Sequence, residues 1–403
     1  MDRADALKTI REIRRLKARI LRSPRSFLSR LRRGYVYMGI PTNVGLRVAA
    51  PFRSLFELLR WGPRIRRQWG TPLARQLVDM LHISLRWRHA PRLYYVWELF
   101  RDGRMADAPY YVDTMQNVEI QYAAMPRIRG DSRGGKVDFH RRCGKFGLRT
   151  VPVLATCAAS WSEPDILDGD SPEWEGDLYE KPARGSQGKG IRRWRRQEDG
   201  SWTCGSTRAR DRGELLALVS EAARKDIHML QPRRHNHPDL DWVRDGPIST
   251  IRITTLRPVG GGRVEYMRPV MRIPREGAWV DNVHQGGFPA PVDVATGTIQ
   301  PMRNYWGLSD GMGTALHPDT DRPVAGVVVP FWPEALELCR EAQEAFASRP
   351  SVGWDVGIDA EGPFLLEMNG MWGCDLMQVP PFGLSPFAEI MLQHLRVQAG
   401  IRR

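Results

Sequence analysis

The pattern of apolar and polar positions divides the chain into a helical N-terminal third and a remainder in which strands and helices alternate. The first stretch, residues 1–35, has apolar residues at near-helical spacing among arginines and lysines, which predicts a basic amphipathic helix. Such a stripe packs on its own domain, lies on an anionic membrane surface or contacts nucleic acid. The apolar positions are Ile10, Ile13, Leu16, Ile20 and Leu21.

Residues 50–125 continue the helical pattern. Prolines favour the first turn of a helix, so helices are predicted to start at Pro51 and Pro72, and Gly62-Pro63 is predicted to separate two of them. A polar, glycine-rich stretch over 127–135 is predicted to be a linker. It ends the helical region.

From residue 136 onward, short runs rich in β-branched residues alternate with helical patterns, which predicts an α+β fold. Helices are predicted over 136–146, 213–224, 333–346 and 384–398. Strands are predicted over 151–155, 178–181, 191–195, 227–231, 249–256, 264–273 and 325–330, with a hairpin over 354–369.

The hairpin carries the first candidate chemistry. A turn over 360–362 centred on Glu361 would place Asp359 opposite Pro363 and Asp355 opposite Glu367. Two carboxylates that face each other on adjacent strands repel, and the repulsion calls for a compensating cation.

Asn369 lies two residues after Glu367, and alternation along a strand places both side chains on one face. With Asp355 they make three oxygen ligands, which predicts a site for a hard divalent cation such as Mg²⁺. The alternative is the polar outer face of an ordinary hairpin.

A glycine-rich turn follows the strand that ends at Lys181. It contains Gly185, Gly188 and Gly190, with Lys189 between the last two. Glycines let backbone N–H groups point into one concavity, and the lysines add positive charge, so the turn is predicted to bind phosphate. The alternative is a flexible surface hairpin.

Arginines form the third candidate. Alternation along the strand over 249–256 places Arg252 on one face with two threonines, and Arg268 and Arg272 follow on the next strand. Guanidinium groups bind phosphate or carboxylate with two parallel hydrogen bonds. The alternative is a set of cross-strand ion pairs. A polar turn with Asp281, Asn282 and His284 is a weaker candidate for binding substrate.

Charge is distributed unevenly along the 403 residues, which carry a net charge of +14. Residues 1–135 hold 27 basic and 11 acidic residues, so they contribute +16 and the rest of the chain −2. The five cysteines form no CxxC pair, which argues against a disulfide framework or a zinc site and favours a reducing compartment. The sequence contains no apolar run of the kind that a secretory signal or a membrane span has.

These motifs, in this order, resemble the ATP-grasp superfamily, and its sugar-transfer-associated branch in particular. The resemblance runs from about Lys136 to about Phe387. It implies two α+β lobes that clasp ATP, preceded by a basic helical region. The implied boundaries are 1–130 for the helical region, 131–232 for the small lobe with the phosphate loop and 233–403 for the large lobe with the metal site.

The resemblance also implies roles for individual residues. Arg252, Arg272 and Lys189 are implied to be catalytic, with Arg252 near the γ-phosphate. Asp355, Glu367 and Asn369 are implied as Mg²⁺ ligands. ATP is implied to contact Lys136 (with Lys145 as the alternative), Lys181, Ser186, Gln187, Gly188, Lys189 and the backbone of Leu230 and Gln231.

The implied activity is an ADP-forming carbon–nitrogen ligase that joins a small-molecule or sugar-linked carboxylate to an amine through an acyl phosphate. Two alternatives remain open: a kinase of the same fold that phosphorylates a hydroxyl, and a non-enzymatic basic adaptor at a membrane surface or nucleic acid. Residues 1–35 are expected to meet an anionic membrane surface or a protein partner, with nucleic acid disfavoured. The expected location is the cytoplasm, with peripheral contact at the inner membrane face.

Overall fold

The computed structural model describes residues 3–22, 41–125, 135–184, 190–224, 226–281, 283, 286–303, 313–378 and 387–401. Within these ranges the N-terminal third is helical and the remainder holds two antiparallel sheets with flanking helices. The protein is therefore α+β, with the sheets on either side of residue 232. No helix in the described part of the chain is long and apolar enough to cross a membrane.

Helices and helical turns make up the described part of the N-terminal region. The helices are α1 (Arg3–Arg22), α2 (Pro41–Trp69), α3 (Leu73–His82), α4 (Leu93–Val96) and α5 (Thr114–Ala124). A π-helical turn (Ile83–Trp87) and a 3-10 helix (Arg104–Tyr110) connect them. The aromatic residues of α4 and its flanks form a core of their own, with Tyr94, Tyr95, Trp97, Phe100 and Tyr111 buried.

The predicted helix start at Pro51 and the predicted break at Gly62-Pro63 are wrong, because α2 runs through both prolines. Pro51 and Pro63 lie on the exposed side of the helix. A carbonyl that loses its backbone donor on that side can be hydrated instead, so the helix continues at modest cost. Pro72 does immediately precede a helix, as the N-cap of α3.

The apolar stripe of α1 is buried against the chain itself. Its members belong to one core cluster with residues of α5 and of the C-terminal helix α9 (Phe387–Gln398). Two ion pairs hold this arrangement: Lys17 with Glu119, and Arg396 with Glu12, whose closest N–O distance is 2.8 Å. α1 therefore turns its apolar residues inward rather than to a membrane.

The first sheet has seven strands in the order β2-β1-β7-β3-β4-β5-β6, all antiparallel to their neighbours. Helix α6 (Gly135–Lys145) precedes it and α7 (Arg212–Ala222) interrupts it. The strands are β1 (Ala155–Cys157), β2 (Asp165–Ile166), β3 (Leu178–Pro182), β4 (Arg192–Arg196), β5 (Trp202–Cys204), β6 (Thr207–Ala209) and β7 (His228–Pro232).

The second sheet has five strands in the order β10-β9-β8-β11-β12, again all antiparallel, with α8 (Trp332–Ala345) against it. The predicted strand over 325–330 is wrong: apart from one bridge at Val328 it forms no ladder, since Gly326 has a φ of 89° and turns the chain. The strands are β8 (Ile251–Leu256), β9 (Glu265–Ile273), β10 (Phe288–Pro291), β11 (Ser351–Asp359) and β12 (Gly362–Asn369).

The two sheets meet where the chain between α6 and β1 lies along β12. The amide of Leu365 donates to the carbonyl of Arg149 over 2.9 Å, and Thr150 forms a parallel bridge with Leu365. After β7 the amide of His237 donates to the carbonyl of Ile358 over 2.8 Å. These contacts bring the start of α6 and the end of β3 toward the hairpin β11–β12.

Gly135 starts α6 at a point of close backbone approach. Its φ is +65°, and a Cβ placed there would lie 2.4 Å from the carbonyl oxygen of Ala183. The next amide, that of Lys136, donates to the same carbonyl over 3.0 Å. Only glycine fits this contact, which joins the base of the glycine-rich turn to α6.

We expect Gly135→Ala to lower the free energy of unfolding by about 1–3 kcal/mol, because α6 must move away from β3. Gly144→Ala is the matched control in the same helix, since a Cβ at Gly144 meets nothing within 4 Å. Alanine at that control position should be neutral or stabilise by up to about 1 kcal/mol. Denaturant unfolding compares the two, and equal effects would contradict the role given to Gly135.

Candidate functional site

The hairpin β11–β12 sets the centre of the site. Asp355 pairs with Glu367, as predicted, but Asp359 pairs with Gly362 rather than with Pro363. The turn holds two residues instead of three, and a register shift beside Asp355 adds one residue to β12. The bulge therefore restores the pairing that the shorter turn would have displaced.

Asp355 is buried and shared between two arginines. Its Oδ1 lies 2.6 Å from Nε of Arg252 and 2.9 Å from Nη2 of Arg272, and its Oδ2 accepts from Nδ2 of Asn369 over 3.2 Å. Burial alone would raise the pKa of Asp355, but the charges of the two arginines outweigh burial and hold it below its ordinary value. The carboxylate is therefore ionised at neutral pH.

Glu367 is half-buried opposite Asp355 and faces Lys136 of α6. Its Oε1 lies 3.9 Å from Nζ of Lys136. Burial and the Asp355 carboxylate raise the pKa of Glu367, so the repulsion predicted from the hairpin is present. Lys145, the alternative to Lys136, is exposed at the opposite end of α6, about 13 Å along the helix axis.

Lys181 reaches the same region from β3. Burial and the ammonium of Lys136 lower its pKa to about 8, while Glu367 acts in the opposite direction. The preceding residue, Glu180, points to the other face of the strand, is fully buried and bonds to Arg192. That anchor fixes the strand that presents Lys181.

His140 is a neighbour of the two lysines that the sequence alone did not suggest. It lies one turn after Lys136 on α6, with Nδ1 2.8 Å from the hydroxyl of Thr150. Burial, with Lys181 and Lys136 close by, lowers its pKa to about 3, so the imidazole is neutral at pH 7. The sequence offered two signals for these residues: Gly135 directly precedes Lys136, and His140 follows Lys136 by four positions.

Leu230 and Gln231 lie inside β7, which pairs with β1 on one side and β3 on the other. The carbonyl of Leu230 accepts from the amide of Leu154 over 2.9 Å, which counts against its use by adenine. The side chain of Gln231 is buried and donates to the carbonyl of Val151 over 3.0 Å. An adenine contact at this strand stays a prediction.

Asp281 is half-buried beside the cluster and accepts from the amide of Thr250 over 2.9 Å and from its hydroxyl. Burial raises its pKa, and the Asp355 carboxylate adds to the shift. Arg268 lies apart and bonds to Gln300. The other predicted residues lie outside the described ranges: Ser186, Gln187, Gly188, Lys189, Asn282 and His284.

The structure thus brings seven predicted residues to one place between the two sheets. Two carboxylates and one amide carbonyl offer the hard oxygen donors that Mg²⁺ prefers, and four cations around them suit phosphate oxygens. Among the described residues no group of three or more His, Cys, Asp or Glu side chains could hold a metal ion. The seven are Lys136, Lys181, Arg252, Arg272, Asp355, Glu367 and Asn369.

The sequence profile of the sugar-transfer associated ATP-grasp family matches residues 131–387, which is more than half of the chain. The chain belongs to this family. The match starts just before α6 and ends at the first residue of α9, so it contains both sheets and all seven site residues. ATP with Mg²⁺ is the cofactor pair typical of the ATP-grasp fold.

No protein of curated function matches the sequence. Among solved structures the chain is similar to a biotin carboxylase complex from Campylobacter jejuni, with 12% identity, a TM-score of 0.39, and 71% of this chain and 48% of that chain covered. It is also similar to an L-amino acid ligase from Bacillus licheniformis, with 12% identity, a TM-score of 0.39, and 70% of this chain and 55% of that chain covered. A third similar structure is D-alanyl-alanine synthetase A from Vibrio cholerae, with 13% identity, a TM-score of 0.34, and 67% of this chain and 65% of that chain covered. The chain spans between about half and two thirds of their lengths.

The lowered pKa of Lys181 predicts a pH dependence of nucleotide binding. The ammonium is charged below about pH 8 and loses its proton above it. A bound triphosphate favours the charged form, so we expect the dissociation constant for an ATP analogue to rise about tenfold between pH 7 and pH 9. Calorimetric titration at several pH values measures this.

Lys181→Met should remove most of that pH dependence, whereas Lys145→Met should retain it. The unfolded chain holds the Lys181 proton more tightly than the folded chain does, so the same titration adds stability as pH rises above 8. Weaker nucleotide binding at pH 9 therefore cannot be attributed to a loss of stability caused by deprotonation of Lys181. A dissociation constant that is equally pH-dependent in Lys181→Met would contradict the assignment.

Proposed function

We propose that the protein is an ATP- and Mg²⁺-dependent ligase that joins a carboxylate to an amine and releases ADP. The observation that carries the proposal is the meeting of Lys136 and Lys181, from the first sheet and its helix, with the Asp355–Glu367 pair of the second sheet. Cations from one lobe and carboxylates from the other form a cleft that suits a metal-bound triphosphate.

Each described residue has a role in that reaction. Lys136 and Lys181 bind phosphate oxygens and balance the charge that develops there. Arg252 and Arg272 fix the Asp355 carboxylate, and their remaining N–H groups suit the γ-phosphate or the substrate carboxylate. Asp355, Glu367 and Asn369 would hold Mg²⁺, which supplies charge neutralisation at the phosphates when bound.

No side chain of the protein need become covalently attached to substrate. The substrate carboxylate attacks the γ-phosphorus, ADP leaves, and the amine then displaces inorganic phosphate from the acyl phosphate with loss of a proton. Burial makes the nearby residues poor participants: it raises the pKa of Cys143 to about 12 and keeps His140 uncharged. The chemistry therefore rests on positioning and charge.

The description of the family as sugar-transfer associated supports sugar-linked acids as the first substrates to test, with other small carboxylic acids beside them. The test supplies ATP, Mg²⁺, a panel of such acids and hydroxylamine as a general amine. We expect a hydroxamate together with ADP and phosphate. An acid labelled with ¹⁸O in its carboxylate should transfer one labelled oxygen to phosphate, because that oxygen bonds to phosphorus in the acyl phosphate.

Each other product points to a different chemistry. AMP with pyrophosphate would contradict the acyl-phosphate route. ADP with a phosphorylated hydroxyl and no hydroxamate would favour the kinase. The non-enzymatic adaptor would be favoured if the protein consumed no ATP with any acid and if Glu367→Gln did not change its binding to a membrane surface or nucleic acid.

A further inference from the structure

Helix α2 presents an apolar face to solvent. Phe52 is 78% exposed and Leu59 71% exposed, and three further large apolar side chains of the same stripe are at least half exposed. Single exposed apolar residues are common on protein surfaces, whereas a contiguous apolar stripe marks a binding surface. The exposed stripe consists of Val48, Phe52, Leu55, Phe56 and Leu59.

The stripe follows the helical repeat and lies opposite the side that packs on the protein. Its members are spaced four, three, one and three residues apart, which places them on one face about 16 Å long. The opposite face holds Ala50, Ser54 and Ile65, all buried. α2 is therefore apolar on two sides, and one of them has no covering side chains among the described residues.

A row of arginines flanks the exposed stripe. Arg53, Arg60 and Arg67 are seven residues apart, so their side chains line up along one edge of the helix. All three are exposed, and within the described residues none of them forms an ion pair. The edge of the apolar face therefore carries positive charge that is not held in ion pairs, with the Arg60 guanidinium 4.8 Å from the centre of the Trp61 ring.

We propose that α2 lies on an anionic phospholipid surface, with the exposed stripe among the acyl chains and the arginine row at the lipid phosphates. An apolar face bordered by basic residues is the pattern of helices that lie in a membrane interface. An antiparallel second copy packed on the same face by two-fold symmetry would bring the like-charged arginine rows toward each other, which disfavours that dimer.

This inference goes beyond the proposed ligase and does not depend on it, since α2 contributes no residue to the phosphate site. It also moves the membrane contact away from the first helix. The stripe of α1 is buried, whereas that of α2 is exposed. The arginine row supplies three of the 27 basic residues within residues 1–135, whose net charge is +16.

The test is flotation of the full-length protein with lipid vesicles. We expect binding to vesicles of phosphatidylcholine with 30% phosphatidylglycerol and little binding to phosphatidylcholine alone. Phe52→Ser with Leu59→Ser should weaken binding at least about 30-fold, because two large apolar side chains leave the acyl region. Replacing Arg53, Arg60 and Arg67 with glutamine should remove the preference for anionic lipid and the sensitivity to salt.

Matched controls use exposed residues elsewhere. Leu316→Ser with Val397→Ser removes two apolar side chains that are 50% and 53% exposed, and should leave vesicle binding unchanged. Changing Arg244 and Arg263 to glutamine removes two exposed charges outside α2 and should do the same.

Three results would overturn the proposal. The first is no binding to anionic vesicles, and the second is equal binding by the Phe52/Leu59 variant and the Leu316/Val397 variant. The third is a protein that binds no vesicles but forms a dimer in light scattering, where the Phe52/Leu59 variant alone abolishes the dimer. The last would mean that a second copy covers the stripe. ATP turnover, measured alongside, reports separately on the ligase proposal.

Discussion

Asp355→Asn is expected to lower ATP-dependent turnover by at least about 10³-fold, because the variant loses the charge that both arginines pair with and that the proposed metal site requires. The change also leaves Arg252 and Arg272, whose side chains are 11% and 14% exposed, beside a neutral amide. We expect the free energy of unfolding to fall by about 3–5 kcal/mol. Turnover assays and denaturant unfolding on the same preparation measure both effects.

Asp359→Asn is the matched control, four residues further along the same strand. Asp359 is also buried and pairs with Arg149, whose Nη2 lies 2.9 Å from Oδ2. Arg149 is more exposed than Arg252 and Arg272, so the expected loss of stability is about 1–3 kcal/mol, with turnover retained. Similar losses of turnover in both variants would mean that the buried charges of strand β11 stabilise the strand and take no part in the reaction.

Glu367→Gln separates chemistry from folding. Its carboxylate is half-buried, and Asp355 opposite raises its pKa, so glutamine should leave the stability unchanged or slightly higher. Turnover should still fall by about 10²- to 10³-fold, since one carboxylate of the proposed metal site loses its charge. A stable variant with full turnover would remove Glu367 from the site.

Lys181→Met is expected to weaken ATP binding between about 10-fold and 150-fold, the range for a charge-assisted hydrogen bond. Methionine has nearly the length of the lysine stem and removes only the ammonium. Burial lowers the pKa of that ammonium to about 8, so its removal should not destabilise the fold. Calorimetric titration with a non-hydrolysable analogue at pH 7 gives the dissociation constant.

Lys145→Met is the control, since Lys145 is exposed at the far end of α6. Its binding constant should match that of the unaltered chain. Lys136→Met should behave like Lys181→Met, because Lys136 faces Glu367. If Lys145→Met weakened binding and Lys136→Met did not, the nucleotide lysine of α6 would be misassigned.

The hairpin shows how far pattern reasoning reaches. Side-chain alternation was sufficient to pair Asp355 with Glu367 and to place Asn369 beside them. It could not specify the two-residue turn or the bulge, because backbone irregularities depend on packing that alternation does not contain. Two errors of one residue, in the turn and in the ladder, cancelled at Asp355.

Long-range contacts were the part that the sequence could not supply. Arg252 and Arg272 were expected either to bind phosphate or carboxylate or to form cross-strand ion pairs, and the structure shows that both pair with Asp355. Gly135 gained its meaning only from the carbonyl of Ala183, which is 48 residues away. No local pattern encodes such an approach.

The N-terminal helices make the same point about surfaces. α1 and α2 are both basic and amphipathic in sequence, and periodicity treats their apolar stripes alike. Only the tertiary structure distinguishes them, because α1 packs against α5 and α9 while α2 packs with its other side. Periodicity identifies an apolar face but not what covers it.

The most direct measurement is a crystal structure with a non-hydrolysable ATP analogue and Mn²⁺ in place of Mg²⁺, read by anomalous diffraction. The account predicts an anomalous peak within about 2.5 Å of oxygens of Asp355, Glu367 and Asn369, with Lys136 and Lys181 at the phosphates. A manganese peak elsewhere in the chain, or a nucleotide bound away from these side chains, would contradict it.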